Sequence, residues 1–199
     1  MVIPLVLASG SSIRAQMLRN ANVEFEVSVP RVDEDALKQS MRAERALPRD
    51  IADALAEMKA HKISGKFPGA WVIGCDQVLD FNGQLISKPN SPEQAHAQLA
   101  MMRSQSHKLF SAAVIYQDNR PIWRHVGQVR LYMRAVSDSY LTGYVDRNWD
   151  SIRHCAGAYM LEAEGVRLFE RIDGDYFNVL GMPLLEMLNF MALRGVIAQ

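Results

Sequence analysis

The sequence predicts an α/β fold on a mixed, twisted sheet. Two long stretches, Leu109 to Tyr116 and Ile122 to Met133, read as strands. Shorter apolar runs at Val2 to Leu7 and Trp71 to Gly74 read as buried strands. Between them lie segments with helical spacing and recognisable caps. Hydrophobic residues make up 49% of the 199-residue chain, enough for a packed interior.

Taken in order, Val2 to Leu7 is a branched-rich strand followed by the small-residue loop Ala8-Ser9-Gly10-Ser11-Ser12. Ile13 to Leu18 has helical character, Glu24 to Ser28 alternates weakly as a second strand, and Pro30 to Asp35 is a polar, acid-rich connection. Leu47-Pro48 opens a strong helix, since proline suits a first helical position. Ile51, Leu55 and Met58 share one of its faces and Lys59 falls beside that face. Gly65 to Gly69 ends it. After the Trp71 strand, Val78 to Phe81 and Leu85 to Ser87 flank Asn82-Gly83, the preferred two-residue hairpin turn.

Ser91-Pro92-Glu93-Gln94 supplies an N-cap, a first-turn proline and a capping-box glutamine for a helix to about Arg103. Asp118-Asn119-Arg120-Pro121 turns between the two long strands. Ser137 caps a helix to about Arg147. Tyr159 to Leu161 and Val166 to Ile172 are expected to pair around Gly165, and Pro183 to Leu193 is an apolar helix stopped by Gly195.

Lysine plus arginine equals aspartate plus glutamate at 22 each. No diffuse basic field is available for long nucleic acid, though a small anionic ligand needs only local charge. Cys75 and Cys155 are too far apart in sequence for a disulfide framework or a zinc spacing, and read as reduced thiols of a cytoplasmic protein. The five histidines form no close helical pair, so any metal would be a hard ion held by carboxylates. The apolar start lacks a basic n-region and reads as a strand, not a signal peptide, and no run approaches the length of a membrane helix.

Several residues carry chemistry. Ser9 and Ser11 stand between a strand and a helix start, where N–H groups and the helix dipole favour an anion, and Arg14 adds a cation one turn on. Taken alone, serines before a helix are more often just a cap. Asp33-Glu34-Asp35 reads by itself as a solvated acidic turn. Asp76 follows the apolar run Trp71-Val72-Ile73-Gly74-Cys75, where a carboxylate is either a buried acceptor or a catalytic group. Lys59 and Lys88 read singly as surface lysines, and together as point charges for phosphate oxygens.

These segments combine. The opening Leu7-Ala8-Ser9-Gly10-Ser11-Ser12-Ile13-Arg14, the pair Asp33-Glu34, Lys59 in Ala56-Glu57-Met58-Lys59-Ala60, Asp76 in Gly74-Cys75-Asp76-Gln77-Val78 and the turn Ser87-Lys88-Pro89 recur in one order. They are followed by His154-Cys155-Ala156-Gly157-Ala158-Tyr159 and by the run from Glu170 to Leu184 that contains Arg171-Ile172-Asp173-Gly174-Asp175-Tyr176 and Gly181-Met182-Pro183. In this order the chain resembles the Maf-like family of nucleotide pyrophosphatases over nearly its whole length.

The resemblance implies one domain over residues 1–199, with two lobes and a central cleft like that of inosine-triphosphate pyrophosphatases. It implies hydrolysis of a nucleoside triphosphate to a monophosphate and pyrophosphate, a house-cleaning activity that keeps modified or non-standard nucleotides out of nucleic acid. Asp76 would be the general base, Glu34 and Asp76 would hold Mg or Mn, and Ser9, Ser11, Arg14, Lys59 and Lys88 would bind the triphosphate. Ile13, Gln77 and Glu162 match selector positions. Gln77 and Glu162 follow the branch active on 7-methyl-GTP, whereas Ile13 stands where that branch has tryptophan. Ser12 and Ser87 also depart from the family's proline and glycine. The resemblance suggests a homodimer, with no nucleic acid or membrane partner. A second reading, a non-catalytic nucleotide-binding regulator of septum formation, gives no reason to keep Glu34, Lys59, Asp76 and Lys88 together.

Overall fold

A computed structural model describes residues 3–198. Val2, placed at the start of the first expected strand, lies outside the described residues. The elements in order are β1 (Leu5–Ala8), α1 (Ser12–Asn20), β2 (Glu26–Val27), α2 (Glu34–Ala43), α3 (Pro48–Ser64), β3 (Trp71–Phe81), β4 (Gln84–Ile86) and α4 (Pro92–Met102). Then come β5 (Ser106–Gln117), β6 (Arg120–Met133), α5 (Asp138–Ile152), a 3-10 turn (Glu164–Leu168), β7 (Phe169–Asp173), α6 (Tyr176–Val179) and α7 (Leu184–Leu193). Among the described residues this makes seven strands and seven α-helices, an α/β fold as expected. No helix there is long and apolar enough to cross a membrane.

The strand order is β2-β1-β3-β5-β6-β7, with β4 on β3. The sheet is mixed: β1 runs parallel to β2 and β3, while β3 with β4 and β6 with β7 are antiparallel. Backbone packing resolves two compact units. The first takes residues 3–77, 110–127 and 175–198, and the second takes 78–109 and 128–174.

In the first unit β1 pairs with β3 from Leu5↔Trp71 to Ala8↔Gly74 and stops there. β3 continues, so Asp76 and Gln77 lie just past the carboxyl end of β1. Ligand sites of parallel α/β sheets gather outside such strand ends. α3 packs against β3 through small residues. A Cβ at Gly74 would sit 2.1 Å from the Ala56 carbonyl oxygen and 2.6 Å from the Ala60 nitrogen. This close approach brings Lys59, the neighbour of Ala60, to Asp76. A Gly74→Val variant must push α3 away. Overpacking of this kind costs about 1–3 kcal/mol or more, and the expected fall in Tm is roughly 5–10 °C at this chain length. An unchanged Tm in a thermal melt would show that α3 does not depend on this contact.

In the second unit, Ser91 caps α4 by accepting from the Gln94 N–H, and the Gln94 side chain accepts from the Asn90 N–H at 2.6 Å, one residue earlier than a strict capping box. His107 is buried against Tyr159 and Phe169, with 2.7 Å between its Nε2 and the Tyr159 hydroxyl. Burial pushes its pKa down to about 4, which marks a neutral core histidine.

Five expectations need correction. Asp33-Glu34-Asp35 is a helix start and not a loop: Asp33 caps α2 by accepting from the Ala36 N–H at 3.0 Å, and Glu34 and Asp35 occupy the first turn. Asp76 lies inside an 11-residue β3, not at a strand end, because the polar pair Asp76-Gln77 interrupts the hydrophobicity but not the strand. The turn between the long strands is only Asp118-Asn119, both with positive φ (49° and 60°), and Arg120 already belongs to β6. The Ser137-capped helix runs on to Ile152, past Arg147. Tyr159 to Leu161 and Val166 to Ile172 do not pair with each other. Gly165 folds onto Met160, where a Cβ would meet the Met160 carbonyl oxygen at 2.4 Å, and β7 pairs with β6 instead.

Candidate active site

At the end of β1 the chain turns through Ser9 into α1. Ser9 Oγ accepts from the Ser11 N–H at 3.2 Å, and Ser11 is the N-cap of α1. The cap reading of these serines therefore holds. It leaves an anion site open too, because the N–H groups of Ser12 and Ile13 in the first helical turn have no intrahelical acceptor.

Arg14 is buried at 9% exposure. Its Nε donates to the Gly181 carbonyl at 2.8 Å, and its Nη1 donates to the Cys75 carbonyl at 2.9 Å and to Ser9 Oγ at 3.3 Å. Arg14 thus ties α1, β3 and the α6–α7 connection together. Its Nη2 has no hydrogen-bond acceptor among the described residues. Gly181 adopts φ +98°, which favours glycine, and a Cβ there would crowd that Nη2 at 3.2 Å.

The acids and the helix lysine converge. Lys59 Nζ lies 2.8 Å from Glu34 Oε1 and pairs closely with Asp76 Oδ1. Lys59 and Asp76 are almost fully buried, at 7% and 6% exposure, while Glu34 is partly exposed at the start of α2. Two carboxylates from α2 and β3 therefore share one cation from α3. Among the described residues no group of three or more His, Cys, Asp and Glu side chains is arranged around a metal position. Glu34 and Asp76 nevertheless reach a common point, and two carboxylates are what Mg commonly takes from protein, with water and phosphate oxygens completing the shell. Burial pushes the neighbouring Cys75 thiol up to about 11, so it is neutral and no nucleophile. Both cysteines are free, as expected from their spacing.

Gln77 is half-buried beside Asp76 on β3 and bonds through Nε2 to Ser111 and to the Asn178 and Val179 carbonyls. Ile13 is half-buried on the first turn of α1. Lys88 and Glu162 belong to the second unit and are exposed. Both act on the Cys155 thiol there, which burial pushes up to about 11, Glu162 adding to the rise and Lys88 opposing it. Ser9, Ser11, Ile13, Arg14, Glu34, Lys59, Asp76 and Gln77 all fall in the first unit.

Ser111, Asn178 and Gly181 were not singled out as site residues by the sequence. A serine between Phe110 and Ala112 in the apolar middle of β5 was a usable signal for Ser111. Asn178 and Gly181 sit inside the glycine-punctuated C-terminal run, where their roles as acceptor and left-handed link need the fold to be seen.

The family described as Maf-like protein matches residues 4–193, from the residue before β1 to the last residue of α7. The chain belongs to the Maf-like family. A nucleoside triphosphate pyrophosphatase of Ruegeria pomeroyi is 71% identical over 197 residues, covering 99% of each chain. One of Caulobacter vibrioides is 50% identical over 194 residues, 98% of this chain and 97% of its own. A 7-methyl-GTP pyrophosphatase of Brucella abortus is 41% identical over 188 residues, 94% of each chain. The Maf-like match covers every first-unit side chain described above.

Proposed function

We propose that this Maf-like protein hydrolyses a nucleoside triphosphate to the monophosphate and pyrophosphate, at the site built by Glu34, Lys59 and Asp76. The enzyme class rests on near-full-length likeness to proteins named for that hydrolase activity. Nothing favours a non-catalytic regulator. The observation that carries the site is the meeting of Glu34 and Asp76 on one buried lysine, just past the end of β1.

In this reading Asp76 takes the proton of the attacking water. The water oxygen forms the new P–O bond, the bond to the bridging oxygen breaks, and its electron pair leaves on pyrophosphate. Lys59 holds Asp76 in place and offsets charge on the phosphate oxygens. Arg14 Nη2 and the first-turn N–H groups of α1 bind phosphate, as do Ser9 and Ser11, and Lys88 supplies a further cation. Glu34 and Asp76 would hold Mg or Mn, which when bound neutralises charge on the transferred group. Cytoplasmic location, a homodimeric state and a house-cleaning role belong to the same proposal.

Gln77 and Glu162 support 7-methyl-GTP and guanine nucleotides over dTTP and UTP. N7 methylation makes the base cationic, and a carboxylate such as Glu162 complements that charge. Ile13 offers the base only an apolar contact. Ile13→Trp is therefore expected to raise kcat/KM for 7-methyl-GTP, since stacking of a base on an aromatic is worth roughly 1–3 kcal/mol. Glu162→Gln should lower it more for 7-methyl-GTP than for UTP. Both variants, assayed on a panel of normal and modified triphosphates with Mg or Mn, test the reading. A parent that prefers dTTP and UTP, with Glu162→Gln without effect, would overturn the base assignment. Full turnover in excess chelator would overturn the metal assignment.

A further inference from the structure

The carboxamide of Gln77 fits only one way round. Its Nε2 lies 2.9 Å from Ser111 Oγ, 2.9 Å from the Asn178 carbonyl oxygen and 3.0 Å from the Val179 carbonyl oxygen. Backbone carbonyls only accept, so a rotated amide would set Oε1 against two acceptors. The Ser111 proton is committed as well, because its Oγ donates to the Asn178 carbonyl at 2.6 Å. Ser111 can then offer Gln77 only a lone pair. The nitrogen must face this trio, and Oε1 must face away from it.

The trio is itself fixed. Ser111 is fully buried on β5 and Asn178 is 3% exposed. Asn178 donates from its backbone N–H and from Nδ2 to Asp175 Oδ2, at 3.1 and 3.0 Å. Its side chain lies on Gly127, where a Cβ would fall 2.0 Å from Oδ1. Among the described residues no protein group donates to Gln77 Oε1, and Gln77 is half-buried beside Asp76.

We infer that Ser111, with the Asn178 and Val179 carbonyls, is a positioning residue for nucleotide selection, holding Gln77 so that the site offers the nucleobase a hydrogen-bond acceptor and not a donor. The inference rests on the pyrophosphatase reading above. A guanine edge carries two adjacent donors, the N1 and N2 protons, and suits such an acceptor. Uracil and thymine flank their one N3 proton with carbonyl oxygens that repel it.

The test is kcat/KM for GTP and for UTP, by pyrophosphate release, in the parent, Ser111→Ala, Gln77→Met, the double variant and Gln77→Glu. Alanine fits the serine's space, so the fold survives. The parent prefers GTP. Ser111→Ala lowers the GTP-to-UTP ratio by about 3–10-fold, the scale of one hydrogen bond. In the Gln77→Met background the same change moves the ratio by less than about twofold, because the two residues act through one contact. Gln77→Glu keeps the size and the acceptors but cannot donate to the carbonyls when ionised, and loses selectivity as Gln77→Met does. An unchanged ratio in Ser111→Ala, equal shifts in both backgrounds, a selective Gln77→Glu or a parent that prefers UTP would overturn the inference while leaving the enzyme reading intact. A parent releasing pyrophosphate from no nucleotide overturns both.

Discussion

Replacing Asp76 with asparagine should lower kcat by about 10²–10⁴-fold, the usual loss when a positioned base is removed. Asparagine keeps the shape and an oxygen acceptor for the Lys59 ammonium, which also retains Glu34 at 2.8 Å. The fold should therefore survive, and circular dichroism and Tm close to the parent's would confirm that the loss is chemical. A variant with near-normal turnover would show that Asp76 is only a buried partner for Lys59.

The second large effect comes from removing the cation instead. Lys59→Met preserves volume but removes the ammonium that Asp76, 6% exposed, shares with Glu34, while Glu34 keeps Lys38 at 3.8 Å. Breaking a buried ion pair from one side costs about 3–5 kcal/mol, and a fall in Tm of roughly 10 °C is expected for a chain of this length. Turnover should fall with it. The melting temperature of the variant should also respond to metal more strongly than the parent's. A divalent ion that fills the place between the carboxylates stabilises the folded state by mass action, so added Mg should raise the variant's Tm by more than the parent's. Thermal melts of both proteins with and without Mg decide the matter. Equal Tm values, or no differential effect of Mg, would show that Glu34 and Asp76 are not drawn to a common cation.

Much of this site was legible before the fold. The local signals that specify one element survived: the Asn82-Gly83 turn, the Ser91 cap, Pro48 at the start of α3 and Gly195 after α7. Lys59 and Asp76 were readable as an ordered motif, yet what joins them is the pair of small residues on α3 against Gly74, a contact between elements that no local pattern encodes. α2 was missed because none of its residues is fully buried, only Leu37 and Met41 give it a short half-buried apolar edge, and its acidic first turn looks like a solvated loop. The expected strand pair around Gly165 failed for the opposite reason. Apolar residues there are buried by a turn folding onto Met160, and burial alone does not separate a strand from a compact turn. Arg14 shows a third limit. The sequence marks it as a phosphate ligand, but its guanidinium also spends three hydrogen bonds on Ser9, Cys75 and Gly181. These bonds follow from the end of β1, β3 and the α6–α7 connection meeting at one place.

The measurement that bears most directly on the central claim is the identity of the products. The purified protein, with Mg or Mn and a nucleoside triphosphate it turns over, should yield nucleoside monophosphate and pyrophosphate in equal amounts from the first minutes of reaction, resolved by ion-exchange chromatography or phosphorus NMR. Nucleoside diphosphate and orthophosphate as the initial products, with no contaminating pyrophosphatase present, would contradict it.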